Sequence, residues 1–401
     1  MRRQGAVRVD GPRACRESEF EDFVALINSV FRAGTDQDIG TDYPLIFGQP
    51  TLEYHRVLSV NGRVAAHVPV APREVVVGDN EFTIGLIGPT VTHPDHRRRG
   101  YAALCLRDVV RIMEEQGWPV SVLWTQEATF PFYWQSGWEA VGPQGQVHQL
   151  GNDDVRLFAP GSFDLVRFDP GEERHLDAIV AIHDAEPQRI LRSRDDYRVL
   201  LTLPRVSTYL AMDGKGPVAY LVIGEGVNKP GLIEAGGDPK GLEALVRWSL
   251  SRLEPGLEIQ APVSLTPSGL GRLIEARKPS GPRPVEKAAG IGYQMMRVNS
   301  VEKLMGGIAG HLRSRSAGVR ADVSLVCTDS GEAVTLSFRD GDFQVVPRRS
   351  GDEVELTRRQ IAQLVFGSHH DATPLELDGA AGDVLRRVFP FYFPIWELDH
   401  C

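Results

Sequence analysis

The chain has 401 residues, of which 42% are hydrophobic and 24% charged, with a formal net charge of −9. That composition supplies several packed cores in two or three domains, and the net acidity excludes broad nucleic-acid binding. No run of 18 apolar residues predicts a membrane span, and Met1-Arg-Arg-Gln-Gly-Ala-Val-Arg8 is not followed by the apolar stretch of a secretory signal, so a reducing cytoplasm is the expected compartment.

In chain order, Phe20, Phe23, Val24, Ile27, Val30 and Phe31 recur at helical spacing and predict an amphipathic helix over 17–31. The segment Ala33 to Pro44 lacks periodicity and reads as a loop carrying Asp36, Asp38 and Asp42. Asn61-Gly62 marks a hairpin between 55–60 and 63–69, and Gly78-Asp79-Asn80 a second between 73–77 and 81–87. A helix of about four turns follows Gly100 and stops near Gly117. The strand 120–124 comes next, then the aromatic run Phe132-Tyr-Trp-Gln-Ser-Gly-Trp138. Residues 151–298 read as a weak repeat of this plan, against the alternative of an unrelated α/β domain: helix 172–184, strands 207–212 and 218–224, and helix 242–253. From about residue 299 the pattern changes to helix 301–312, a hairpin of 321–328 with 333–339, and strands 342–347 and 353–356. Two helices, 357–366 and 384–389, precede the apolar run Phe389-Pro-Phe-Tyr-Phe-Pro-Ile-Trp396. Cys15, Cys105, Cys327 and Cys401 are far apart and form no metal spacing. His93 and His96 have no Cys or acidic partner at a zinc spacing, and His369-His370 reads as a surface loop, so no metal is expected.

Gly88 to Ala103, GPTVTHPDHRRRGYAA, is the most informative stretch. A strand ends, the chain turns, and Gly100 opens a helix in the order R-x-x-G-x-A. Unpaired N–H groups and the helix dipole make such a terminus attractive to a pyrophosphate. Gly100 lets phosphate oxygens approach without meeting a Cβ, and Arg97, Arg98 and Arg99 add charge at the same place. The counterpart in the repeat, Lys240-Gly241, lacks the motif.

With the following strand and Phe132-Tyr133-x-x-x-Gly137-Trp138, this order resembles the GCN5-related N-acetyltransferase (GNAT) superfamily. The three-part order resembles more closely the Eis-like (enhanced intracellular survival) acetyltransferases. The resemblance covers essentially the whole chain. It implies an α+β fold of tandem mixed sheets flanked by helices: a catalytic domain over 1–150, a degenerate copy over 151–298, and a sterol-carrier-protein-like domain over 299–401. It implies acetyl-CoA as cosubstrate, a small amine as acceptor (in some members an aminoglycoside), and a homo-oligomer, trimeric or hexameric.

In that frame the backbone of Thr90, Val91 and Thr92 pairs with the pantetheine arm, and Arg97, Arg98, Arg99, Gly100, Tyr101 and Ala102 surround the pyrophosphate. Sequence does not choose among the three arginines. Tyr133 falls where the superfamily places a general acid for the departing thiolate; its alternative is an aromatic packed under the sheet. In Eis-like proteins the terminal carboxylate reaches into the first domain's site and acts as base; here that is the α-carboxylate of Cys401, against the alternative of a merely packed last element. Glu127 is a reserve for binding or proton relay, or a solvated carboxylate. The acidic loop suits a cationic amine, or is simply solvated. Two other functions stay open: a non-catalytic acyl-CoA or lipid carrier, and a protein-lysine acetyltransferase.

Overall fold

The computed structural model describes residues 7–47, 51–142, 146–225, 230–262, 268–278, 280–284, 293–369, 372–393 and 395–400. Among the described residues, three sheets of nine, seven and four strands, covered by helices, make a mixed α+β fold.

In the first sheet the two expected hairpins share one continuous strand, Arg63–Val77. Its first half pairs with His55–Val60 and its second with Asn80–Ile87. Asn61 and Gly62 both take positive φ, as the tight turn at the first corner requires. Asn80–Ile87 then runs parallel to Val120–Thr125, but the two are in register only at Gly85 with Ser121 and Leu86 with Val122. Beyond Ile87 the chain swings away, and Val91–Thr92 pairs with Ala66 and His67 instead. The parallel strands therefore separate, leaving a gap at the head of the helix Tyr101–Gln116. The helix Phe20–Phe31 covers the other face and buries Phe23, Leu26 and Ile27.

The second sheet repeats the arrangement. Gly216–Glu225 pairs with Pro230–Gly237, which leads into the helix Pro239–Ser251. Pro230–Gly237 meets Glu258–Pro262 in parallel at the single pair Gly231 with Gln260.

Several elements depart from the sequence reading. Tyr293–Val298, inside the range expected for the second domain, instead lies between Val120–Thr125 and Glu139–Ala140 and completes the first sheet. Gln188–Ile190 likewise leaves the second region to pair with Val75, Val76 and Val77. Gln146–Gly151 belongs wholly to the second sheet, so the boundaries at 150 and 298 each cut across pairing. Periodicity reports a strand but not its partner, which is why these crossings are invisible in sequence. The expected helix 301–312 is two, Val301–Gly307 and Ala309–Arg315, parted after Gly306-Gly307. Part of the acidic loop is helical. Asp38 caps Ile39–Asp42 by accepting from the Gly40 and Thr41 amides, and Asp42 pairs with Arg32 at 2.6 Å and Arg205 at 3.1 Å. Two of its three acids thus serve structure, while Asp36 is exposed. His369 is buried beside the Tyr293 ring, 5.0 Å between centroids, where a surface loop was expected; His370 lies outside the described residues.

Under Phe20–Phe31 lies a buried histidine pair. His55 Nδ1 and His67 Nε2 are 2.9 Å apart, and His55 Nε2 is 3.2 Å from the Ile46 carbonyl. A carbonyl only accepts, so His55 carries its proton on Nε2 and accepts from His67 through Nδ1. Phe23 stacks on His67 at 4.3 Å. Burial holds His55 at about 4 against an ordinary 6.5 and takes His67 well below its usual range. The unfolded chain therefore binds protons that the folded chain refuses. Their contribution to stability is complete above about pH 6.5 and is lost as pH falls toward 4, on the order of 3 kcal/mol for His55. The urea midpoint is expected to drop between pH 7 and pH 4.5, and to drop less in His55→Gln. A midpoint that holds constant over that range would refute this account.

Candidate active site

The turn and the helix start singled out by the sequence border the gap in the first sheet. Thr90, Val91 and Thr92 form its wall where the chain leaves the parallel pairing. His93 accepts the Asp95 amide at 3.2 Å and His96 lies against the Tyr101 ring, so both shape the turn below the gap.

At the end of that turn Gly100 is the N-cap of Tyr101–Gln116, with φ +77° and no side-chain cap. A Cβ added there would meet nothing within 4 Å. The helix thus offers bare amides to open space, the arrangement that binds a phosphate. Arg97, Arg98 and Arg99 are all exposed around it. Arg97 is drawn in, its Nε donating to the Thr92 carbonyl at 3.4 Å, and Arg98 adopts a left-handed φ of +61°.

The second copy is closed at the equivalent place. Asp238 is the N-cap of Pro239–Ser251, and its carboxylate accepts from the Lys240 and Gly241 amides, both at 2.9 Å. An internal anion occupies the amides that a phosphate would use.

Tyr133 comes from the short helix Phe130–Trp134 and is buried among Leu58, Cys105, Leu123, Trp138 and Met295. Its ring meets Trp138 edge-on, 6.3 Å between centroids. Burial pushes the phenol above its usual range, opposed by the Thr90 hydroxyl. At neutral pH it stays protonated beside the gap wall, as a proton donor must. Gly137, at φ +93°, turns the chain so that Trp138 folds back, with Arg297 and Arg358 packed against the turn. Glu127 is exposed and takes no part in this packing.

Sequence reasoning missed what lies on the strand opposite Thr90. The ring of His400 rests on Trp124 of Val120–Thr125, 3.5 Å between centroids. Burial, followed by the positive charge of Arg73, lowers His400 to about 3, so it is neutral at physiological pH. Cys401 itself lies outside the described residues. The residues before it are anchored: Asp399 accepts from Arg192 Nε at 2.9 Å and Nη2 at 2.6 Å, and its other oxygen accepts the Trp396 amide at 3.1 Å. Arg192 also makes a two-pronged pair with Glu234, at 3.0 and 2.7 Å. Glu234, a carboxylate in the apolar run Gly231-Leu-Ile-Glu-Ala, was the one readable signal, since a charge there must find a buried partner.

Residues 12–141 match the family model for the acetyltransferase (GNAT) domain. No functionally curated protein matches the chain. Among solved structures it is similar to a GCN5-related N-acetyltransferase from Anabaena variabilis, at 16% identity and TM-score 0.69 over 97% of this chain and 98% of that one. It is similar to another from Kribbella flavida, at 18% and 0.67 over 97% and 98%. It is also similar to Eis1 from Mycobacterium abscessus, at 12% and 0.58 over 97% and 99%. The protein is an N-acetyltransferase, and its acetyltransferase domain implies acetyl-CoA as cosubstrate. The strand Tyr293–Val298 lies outside the matched range yet completes that domain's sheet.

Gly100→Ala places a Cβ before the bare amides and strains a positive φ, so the CoA dissociation constant should rise by about tenfold or more. Calorimetric titration of the wild type should give one CoA per chain. Two equivalents would contradict the closed state of the second copy.

Proposed function

We propose that the protein transfers the acetyl group of acetyl-CoA to a primary amine of a small cationic molecule of the aminoglycoside or polyamine type, as an Eis-like enzyme. What supports this reading is the uncapped Gly100 helix at the head of the gap, the protonated Tyr133 phenol beside Thr90, and the His400 ring resting on Trp124. The formal charge of −9 and the exposed Asp36 at the loop favour a cationic acceptor. The sterol-carrier-like C-terminal module and a trimeric or hexameric assembly belong to the same reading.

Bound in the gap, acetyl-CoA supplies an activated acyl carbon. The backbone of Thr90, Val91 and Thr92 holds the pantetheine arm, Gly100, Tyr101 and Ala102 offer amides to the pyrophosphate, and Arg97, Arg98 and Arg99 surround it. A backbone N–H of the gap wall stabilises negative charge developing on the carbonyl oxygen. The amine must be neutral to attack. Its proton passes to the α-carboxylate of Cys401, one residue beyond the ring that rests on Trp124. As the carbon–sulfur bond breaks, Tyr133 gives its proton to the sulfur, and the second proton, which the nitrogen loses on becoming an amide, restores the phenol.

Thiol release with acetyl-CoA against polyamines, aminoglycosides and lysine peptides tests the acceptor class; release only with the peptides would overturn it. Tyr133→Phe should lower kcat by about 10²-fold or more with KM for acetyl-CoA unchanged, and an unaltered kcat would remove the phenol from the mechanism. One residue added after Cys401 should abolish turnover while leaving the melting temperature in place; full activity would show that the chain end is not the base.

A further inference from the structure

In the second sheet the gap between parallel strands is filled by the protein's own chain end. Pro230–Gly237 and Glu258–Pro262 part after Gly231 and Gln260, as their counterparts part in the first sheet. The last turn, Glu397–His400, packs against Pro230–Gly237. Trp396, 4% exposed, joins the apolar cluster of Leu232 and Ala235 from one parted strand, Ile259 and Ala261 from the other, and Leu242 from the following helix. Leu398, 1% exposed, joins the cluster on the opposite face, with Tyr220 and Ile233. Between them Asp399 meets Arg192, whose other prongs hold Glu234. Glu234 also accepts from the Tyr220 hydroxyl at 2.8 Å. Arg192 follows Gln188–Ile190, which is paired to the first sheet, and the Leu191 amide donates to the Glu74 carbonyl at 2.8 Å. Arg192 thus follows a strand held by the first sheet and ties the second sheet to the tail through its side chain.

We infer that the strand gap of the second copy is a socket for the chain end, occupied by Trp396, Leu398 and Asp399, and that Arg192 is a positioning residue that presents the end to the first sheet's gap. The second copy gives up a ligand and takes the tail in its place, with Asp238 closing the phosphate end and the tail closing the strand end. The positioning role, though not the socket, rests on the proposed part of the terminal carboxylate in proton transfer.

The test compares wild type with Asp399→Asn, which keeps the shape and the Arg192–Glu234 pair, and with Trp396→Ala, which empties the socket. Neither residue touches the reacting atoms. Timed digestion by carboxypeptidase Y, read by mass spectrometry, reports tail release without reference to activity. Release of Cys401 and His400 should quicken on the order of tenfold in both variants. The kcat should fall on the order of a hundredfold, with KM for acetyl-CoA and CoA affinity unchanged, because a small misplacement of a reacting group is costly. A tail that stays protected in both variants would overturn the socket, whatever the activity. Release with undiminished kcat would overturn the positioning role and the terminal-carboxylate reading together, and leave the socket standing.

Discussion

The arrangement of the three modules turns on the guanidinium of Arg192. It is almost fully buried, faces two buried carboxylates, and satisfies both with donors at 2.6 to 3.0 Å. Burial alone would disfavour its charge, but Asp399 and Glu234 more than offset that and keep it protonated. Removing one partner from a buried ionic group typically costs about 3–5 kcal/mol, whereas replacing the whole set by well-packed apolar residues is often neutral. Such a cluster therefore contributes little net stability and a great deal of geometry. Apolar residues in its place would hold the tail down without fixing its register. Two donors of one planar guanidinium converge on Asp399 Oδ1 while the Trp396 amide donates to Oδ2, which fixes how the carboxylate is turned.

The first two sheets show how a helix terminus is left open or closed with the backbone plan unchanged. Both have antiparallel strands, a parallel pair that parts, and a helix opening at the gap. In the first, a glycine at the N-cap leaves the amides bare and the space in front open. In the second, the aspartate at that position satisfies the same amides internally. An Asp cap stabilises its helix by about 1 kcal/mol, where glycine gives up little of that and no longer blocks the terminus. The difference between an open and a closed helix terminus is here one carboxylate.

Much of this was legible in the sequence because it is local. The turn at Gly100 combines a residue type, a spacing and a change of period within a few residues, and Phe132 to Trp138 does the same. The missing motif near Lys240 was equally plain, although its replacement by the Asp238 cap was not read. What stayed hidden is long-range. Tyr293–Val298 falls by position in the second region, and only packing shows that it completes the first sheet. Arg192 is one arginine in a polar stretch, and 207 residues separate it from Asp399. His400 carries no motif, and its place on Trp124 follows from where the socket releases the tail.

These facts bear on why a chain end, rather than a side chain, would serve as a base. A carboxylate on Asp or Glu is carried by a loop or strand that must also pack, and its reach is set by rotamers. An α-carboxylate belongs to any terminal residue, so its chemistry is independent of the side chain at 401. What has to be fixed is the number of residues between the anchor and the end, here two beyond Asp399. Each residue spans up to about 3.5 Å, and reacting groups displaced by about 1 Å already lose much of their effect. A mechanism of that kind therefore needs a rigid anchor very near the terminus, in a part of the protein that does not itself change when the cosubstrate binds. The second copy, closed at its phosphate end and filled at its strand gap, meets that need.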